Sequence, residues 1–276
     1  TQKSLWKNTM LEFFSRRKKR KLIVAGCSYV DDYAKSQKLP SFPLWSDLLA
    51  KKLNMELINL GKCGAGNKEI YSKIVDTVIT EDKIGLVIPM WSEFQRVSFY
   101  VDQLQTWKSF HTDRDYLNAE WTDNFHKGMS GVAPPNPLKK KMPYRISTEY
   151  RAFGLNDIQA STEDSLRMMY GIQTLCENKD IPYLQMQGPF PIMSKSKFDN
   201  EKKLTASIIN SIYLKEIPKA TFVGWPIIKS IGGHCVDDYL TKDENYVISK
   251  EDRHPNEKGH ELISELLYEK FKSNYP

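Results

Sequence analysis

The 276-residue chain predicts an α/β fold, five mainly parallel strands in one sheet with helices over both faces. Short apolar runs of strand length alternate with longer stretches of helical apolar spacing, and glycine-bearing turns follow the first two runs. Parallel neighbours need helix-length crossovers, so this alternation favours a parallel sheet in a three-layer α/β/α arrangement.

The first strand is Leu22 to Gly26, a continuous apolar run ending at a sharp turn. Pro43 opens a helix through Asn54, with Leu44, Trp45, Leu48, Leu49 and Leu53 on one stripe. Met55 to Leu60 is the second strand. The turn holding Gly61, Gly64 and Gly66 then leads to a helix from Lys68 to Thr80. Ile84 to Met90 is the third strand. Ile181 to Gln187 and Ala220 to Trp225 are the fourth and fifth, preceded by helices at Glu163 to Glu177 and Glu201 to Lys215. A last helix begins at Pro255 with Leu262, Ile263, Leu266, Leu267 and Phe271 facing the sheet. Residues 97–160 break the pattern. They carry Trp107, Phe110, Tyr116, Trp121, Phe125, Tyr144 and Tyr150, a Pro134-Pro135 break and a Lys139 to Lys141 run, and they read as an aromatic-rich insertion beside the active face.

The net charge of +6 is concentrated. Residues 1–21 hold eight Lys/Arg against Glu12 alone, which leaves residues 22–276, a single α/β domain, close to neutral. A nucleic-acid footprint would spread its cations over a face of the body, so the charge gives no strong nucleic-acid signal. It reads as a basic lead-in at the amino end of the sheet, opposite the active face. No apolar run reaches the roughly 18–20 residues that cross a bilayer, and no signal-peptide order of basic then apolar residues is visible. Cys27, Cys63, Cys176 and Cys235 are widely spaced, which argues for a reducing intracellular compartment and against a disulfide framework or zinc knuckle.

Chemistry-bearing residues gather at the predicted carboxyl ends of the strands, where ligands bind in open parallel sheets. Gly26-Cys27-Ser28-Tyr29 follows the first strand, and the turn exposes the serine hydroxyl. Far downstream, Glu251-Asp252-Arg253-His254-Pro255-Asn256 puts two carboxylates beside a histidine. A serine needs a base, and the base needs an orienting acceptor on its other nitrogen. Ser28, His254 and either Asp252 or Glu251 supply those three chemistries. With a helix starting at Pro255, His254 is expected at its N-cap, where the dipole keeps imidazole neutral. His111, His126 and His260 read as solvated or packed, and Cys27 as an inward structural thiol. The types in His234-Cys235-Val236-Asp237-Asp238 match no common zinc spacing, so no metal is expected. The Gly61 to Asn67 turn lacks the order of a nucleotide-binding loop.

These segments resemble the SGNH hydrolase superfamily, the GDSL esterases. Gly26-Cys27-Ser28 matches the first block with Cys27 in place of aspartate, Asn59 to Gly64 matches the second, and the region of His254 matches the last. At the third block Pro89 to Arg96 contains no asparagine. The resemblance implies a flavodoxin-like three-layer fold, Ser28 as nucleophile, and the Ser28 and Gly64 backbone N–H groups as oxyanion donors. It leaves Trp91 or Ser92 to replace the asparagine, and a missing donor of that kind costs about 3–4 kcal/mol. Arg96 reads either as a clamp on an anionic substrate group or as the partner of a local acid. The expected activity is cofactor-free hydrolysis of an ester, with an acylated carbohydrate as substrate class from family habit and from aromatic rings able to stack on sugars. A non-catalytic binding or virion structural protein and an acyltransferase using Ser28 are the alternatives. The combined motifs are also similar to SGNH-like proteins predicted in marine bacteriophages, which implies virion partner proteins and possible virion association.

Overall fold

In the computed structural model, the described residues are 19–112, 148–150, 152–155, 157–192 and 197–276, with the side chains of 197 and 198 left aside. The basic residues 1–18, the lysine run and Tyr116, Trp121, Phe125 and Tyr144 lie outside them.

The main sheet consists of β1 (Lys21–Ala25), β2 (Glu56–Asn59), β3 (Ile84–Trp91) and two further strands at Gln185–Gln187 and Phe222–Val223. A separate two-stranded sheet pairs β4 (Arg96–Val101) antiparallel with β5 (Thr106–His111), so the later main-sheet strands are β6 and β7. The main sheet runs β2-β1-β3-β6-β7, every pair parallel. The chain leaves β1 to one side for β2 and returns on the other for β3, placing the topological switch point beside β1, where such sheets bind ligands.

Strand alternation divides the core. Ile23 and Ala25 of β1, with Val87 and Trp91 of β3, face α2 (Asn67–Thr80), α3 (Ile158–Asn178) and α4 (Lys197–Asn210). Leu22 and Val24, with Leu86, Ile88 and Met90, face α1 (Trp45–Lys52) and α5 (Glu257–Asn274). All of these strand side chains are buried, which explains why both strands read as unbroken apolar runs.

The elements differ from expectation mostly at their ends. α3 begins at Ile158, earlier than Glu163, because the Asp157 side chain caps it by accepting from the Ala160 N–H at 2.9 Å. β6 and β7 pair over three and two residues only. Lys21 belongs to β1, and its ammonium pairs with Glu81 and Asp82 in the turn before β3, at the amino end of the sheet. The insertion opens as the β4-β5 hairpin against α2, where the Gly66 N–H donates to Ser98 Oγ at 3.0 Å. Phe110 meets Tyr150 edge-on at 5.4 Å on one face of the hairpin, and Trp107 meets the exposed Tyr100 at 5.7 Å on the other.

His260 is packed: it is buried, and its Nδ1 accepts from the Trp45 N–H at 3.1 Å, joining α5 to α1. Burial, reinforced by the charge of His254, pushes it down from 6.5 to about 4. Between those values the unfolded chain binds a proton that the folded one refuses, so stability falls as pH drops from about 6.5 to 4, by about 3 kcal/mol. Urea unfolding at pH 7.5 and 4.5 should therefore show a shallower pH slope in His260→Gln than in the parent. Equal slopes would remove His260 from that role.

Candidate active site

The turn after β1 is drawn tight by the Cys27 carbonyl, which accepts from the N–H groups of Val30 (3.0 Å) and Asp31 (3.1 Å). This leaves Ser28 on the outside of the bend at 8% exposure, while Cys27 points inward at 1%. The turn after β2 is bound to it: the Lys62 N–H donates to the Gly26 carbonyl at 3.0 Å and the Cys63 N–H to Asp31 Oδ2 at 2.7 Å. A Cβ on Gly61 would come within 2.8 Å of Val30 backbone, so only glycine permits that approach. Gly64 has φ +81°, the left-handed region, with open space where a Cβ would be; its requirement is conformational. Among the described residues, neither the Ser28 N–H nor the Gly64 N–H has a hydrogen-bond acceptor.

His254 arrives from the opposite end of the chain. Its Nε2 lies 2.8 Å from Ser28 Oγ and its Nδ1 2.6 Å from Asp252 Oδ1. A carboxylate can only accept, so Nδ1 carries the hydrogen and Nε2 is the free acceptor for the Ser28 hydroxyl. The His254 and Asp252 side chains are 26% and 28% exposed, open to an incoming molecule. Partial burial raises the Asp252 carboxyl, but hydrogen bonds and charge from His254, with a hydrogen bond from Tyr33, outweigh it and hold it below the usual carboxylate value.

Of the two candidate acids, Asp252 is the one that meets His254. Ser249 Oγ accepts from the N–H groups of both Glu251 (3.2 Å) and Asp252 (3.0 Å), and the resulting turn sends the Glu251 carboxylate back to the Ser249 hydroxyl at 3.0 Å. His254 also lies outside the final helix. Asn256 is the N-cap, accepting from the Gly259 N–H at 3.1 Å, so the helix dipole acts two residues further along than the sequence suggests.

Three expected substrate-facing residues are engaged elsewhere. The buried Trp91 indole donates to Gln185 Oε1 at 2.9 Å, on the α2-α3 side of the sheet. The Ser92 N–H donates to Asn67 Oδ1 at 2.8 Å and its hydroxyl lies 3.5 Å from Glu93 Oε2; the residue is fully buried. Arg96 pairs with Glu93, and donates to His111 Nε2 (3.1 Å) and the Ala65 carbonyl (3.2 Å). It is the partner of a local acid. The His234 group is similarly occupied: its Nε2 meets Tyr239 OH at 2.6 Å, Asp238 pairs with Lys229, and Asp237 accepts from Tyr29 OH and the Phe190 N–H. Burial pushes the Cys63 thiol up to about 11, far from a reactive thiolate.

The sequence reading missed Tyr29 and Tyr33. Their spacing of four, directly after Ser28, is the one signal that marks them. The Tyr33 ring stacks on His254 at 3.6 Å and 16°, its hydroxyl donates to Asp252 Oδ2 at 3.1 Å, and Tyr29 flanks His254 at 5.5 Å.

The chain is similar to several solved structures. One is a G-D-S-L family protein from Desulfitobacterium hafniense DCB-2, 14% identical over 91% of this chain and 98% of that one, with a TM-score of 0.45. Another is the psychrotrophic esterase EstA from Pseudoalteromonas, 11% identical over 92% and 97%, TM-score 0.46. A third is an acetylxylan esterase from Geobacillus stearothermophilus, 12% identical over 91% and 93%, TM-score 0.46. No family model and no curated protein matches the sequence. Among the described residues no helix is long and apolar enough to cross a membrane.

Proposed function

We propose that this chain is a serine-dependent ester hydrolase of the SGNH type. The observation that carries the reading is the continuous hydrogen-bonded line from Ser28 Oγ through His254 to Asp252, at 2.8 and 2.6 Å, on the switch-point turn of a parallel sheet. Such a line has the geometry of an activated nucleophile, base and orienting acid.

In this scheme Ser28 Oγ attacks the ester carbonyl carbon while His254 Nε2 takes the hydroxyl proton, and Asp252 stabilises the imidazolium that forms. The Ser28 and Gly64 N–H groups are the donors for the oxyanion. His254 returns the proton to the departing alkoxide, leaving an acyl-Ser28 ester. Water, deprotonated by His254, then attacks that ester, and Ser28 leaves with the proton restored. A sugar hydroxyl in place of water would make the same intermediate an acyltransferase. With Trp91 and Ser92 committed elsewhere, the hole has two backbone donors, which supports slow turnover: a third donor is worth about 10²- to 10³-fold. The same deficit is what would favour a non-catalytic binding protein. An acylated carbohydrate is the substrate class to test first.

Incubation of the folded protein with a fluorophosphonate and peptide mapping of the adduct tests the proposal. Covalent phosphonylation is expected at Ser28. Unmodified protein, or an adduct elsewhere only, would favour the non-catalytic reading.

A further inference from the structure

Tyr33 contacts both members of the His254–Asp252 pair that serves Ser28. Its ring lies parallel to the His254 imidazole with centroids 3.6 Å apart, and its hydroxyl donates to Asp252 Oδ2, the oxygen that His254 leaves free. Asp252 Oδ1 meanwhile accepts both the His254 Nδ1–H at 2.6 Å and the His254 backbone N–H at 3.2 Å. One side chain thus fixes the carboxylate against rotation and covers one face of the imidazole. Tyr33 reaches this place because it opens a short helix, Tyr33–Ser36, whose cap Asp32 accepts from the Lys35 N–H at 3.1 Å. The helix starts five residues after Ser28, so nucleophile and clamp ride on the same short segment.

We infer that Tyr33 is a positioning residue, a clamp that holds the His254–Asp252 pair in line with Ser28 and stabilises the imidazolium that forms during acyl transfer. The inference rests on the ester-hydrolase reading. Two physical effects are separable. The hydroxyl bond orients Asp252, and through it the imidazole plane. The ring face, negative at its centre, attracts a cation more than a neutral ring, so stacking favours the state in which His254 holds the Ser28 proton. Both act on the transition state and leave substrate binding nearly untouched, so the loss should fall on kcat and not on KM.

Two variants divide the effects. Tyr33→Phe keeps the stack and removes the hydrogen bond; kcat for p-nitrophenyl acetate should fall roughly 3- to 10-fold with KM unchanged within about twofold. Tyr33→Leu removes both, and kcat should fall about 10- to 100-fold. A readout independent of turnover is the downfield proton resonance of His254 Nδ1–H. It should persist in the parent and in Tyr33→Phe, and be lost to water exchange in Tyr33→Leu. Folded variants with parental kcat, losses confined to KM, or a resonance that survives unchanged in Tyr33→Leu would each overturn the clamp. Should Tyr33→Leu fail to fold, the kcat of Tyr33→Phe decides. A parent without esterase activity would sink the hydrolase reading alone, because the proton resonance still reports on Tyr33.

Discussion

Ser28→Ala is expected to reduce ester hydrolysis on the order of 10⁴-fold or more, the largest loss that any single substitution in this chain should produce. The fold should tolerate it. Ser28 is 8% exposed at the surface of the turn, and its hydroxyl contributes one hydrogen bond, to His254, worth about 1 kcal/mol. The turn itself is held by the Cys27 carbonyl and by Trp45 Nε1 donating to the Tyr29 carbonyl at 2.8 Å, neither of which involves the Ser28 side chain. A thermal midpoint near the parent's would therefore separate lost chemistry from lost structure. Combining Ser28→Ala with His254→Ala should be no worse than either alone, because a base with no nucleophile to serve contributes nothing further. Hydrolysis at the parental rate in Ser28→Ala would remove the serine mechanism altogether.

Much of this site was legible because two kinds of signal coincide at it. Leu22 to Ala25 and Gly85 to Met90 are buried on both faces, so their apolar runs survive any error about which face is which. A small polar residue just past such a run must lie at the carboxyl end of the sheet, and that locates Ser28 before any contact is known. What the sequence left open were choices that local turns and side-chain parity decide. Glu251 and Asp252 are adjacent carboxylates beside His254 in the sequence, yet Ser249 accepts from two successive N–H groups and the turn sends the Glu251 carboxylate away from His254. Trp91 is an even number of residues from Val87, so the pleat puts both on the α2-α3 side; parity already argued against an oxyanion role for its indole. Arg96 lies three residues after Glu93, a spacing that announces the pair it makes. The β4-β5 hairpin escaped because its inward positions are polar: Ser98 Oγ lies 2.8 Å from Ser109 Oγ, and serines facing inward break the alternation by which strands are recognised.

The choice of acid carries the second large effect. In Asp252→Asn the amide NH₂ can face His254 Nδ1, which then becomes the acceptor and moves the imidazole hydrogen to Nε2. That nitrogen can no longer take the Ser28 proton, and kcat should fall about 10⁴-fold although the side chain has the same shape. Glu251→Gln, by contrast, should leave kcat within about twofold, since the Glu251 carboxylate is exposed and contacts the Ser249 hydroxyl alone among the described residues. The pH dependence points the same way. With the Asp252 carboxyl held below its usual value by His254 and Tyr33, its stabilising contribution is complete above the ordinary carboxylate range and is lost as pH falls through the lowered value. Mild acid therefore leaves the Asp252 carboxylate ionised. Measured side by side on one ester, equal losses in Asp252→Asn and Glu251→Gln, or a loss in Glu251→Gln alone, would reassign the orienting acid. A loss confined to Asp252→Asn would tie turnover to the 2.6 Å contact with His254.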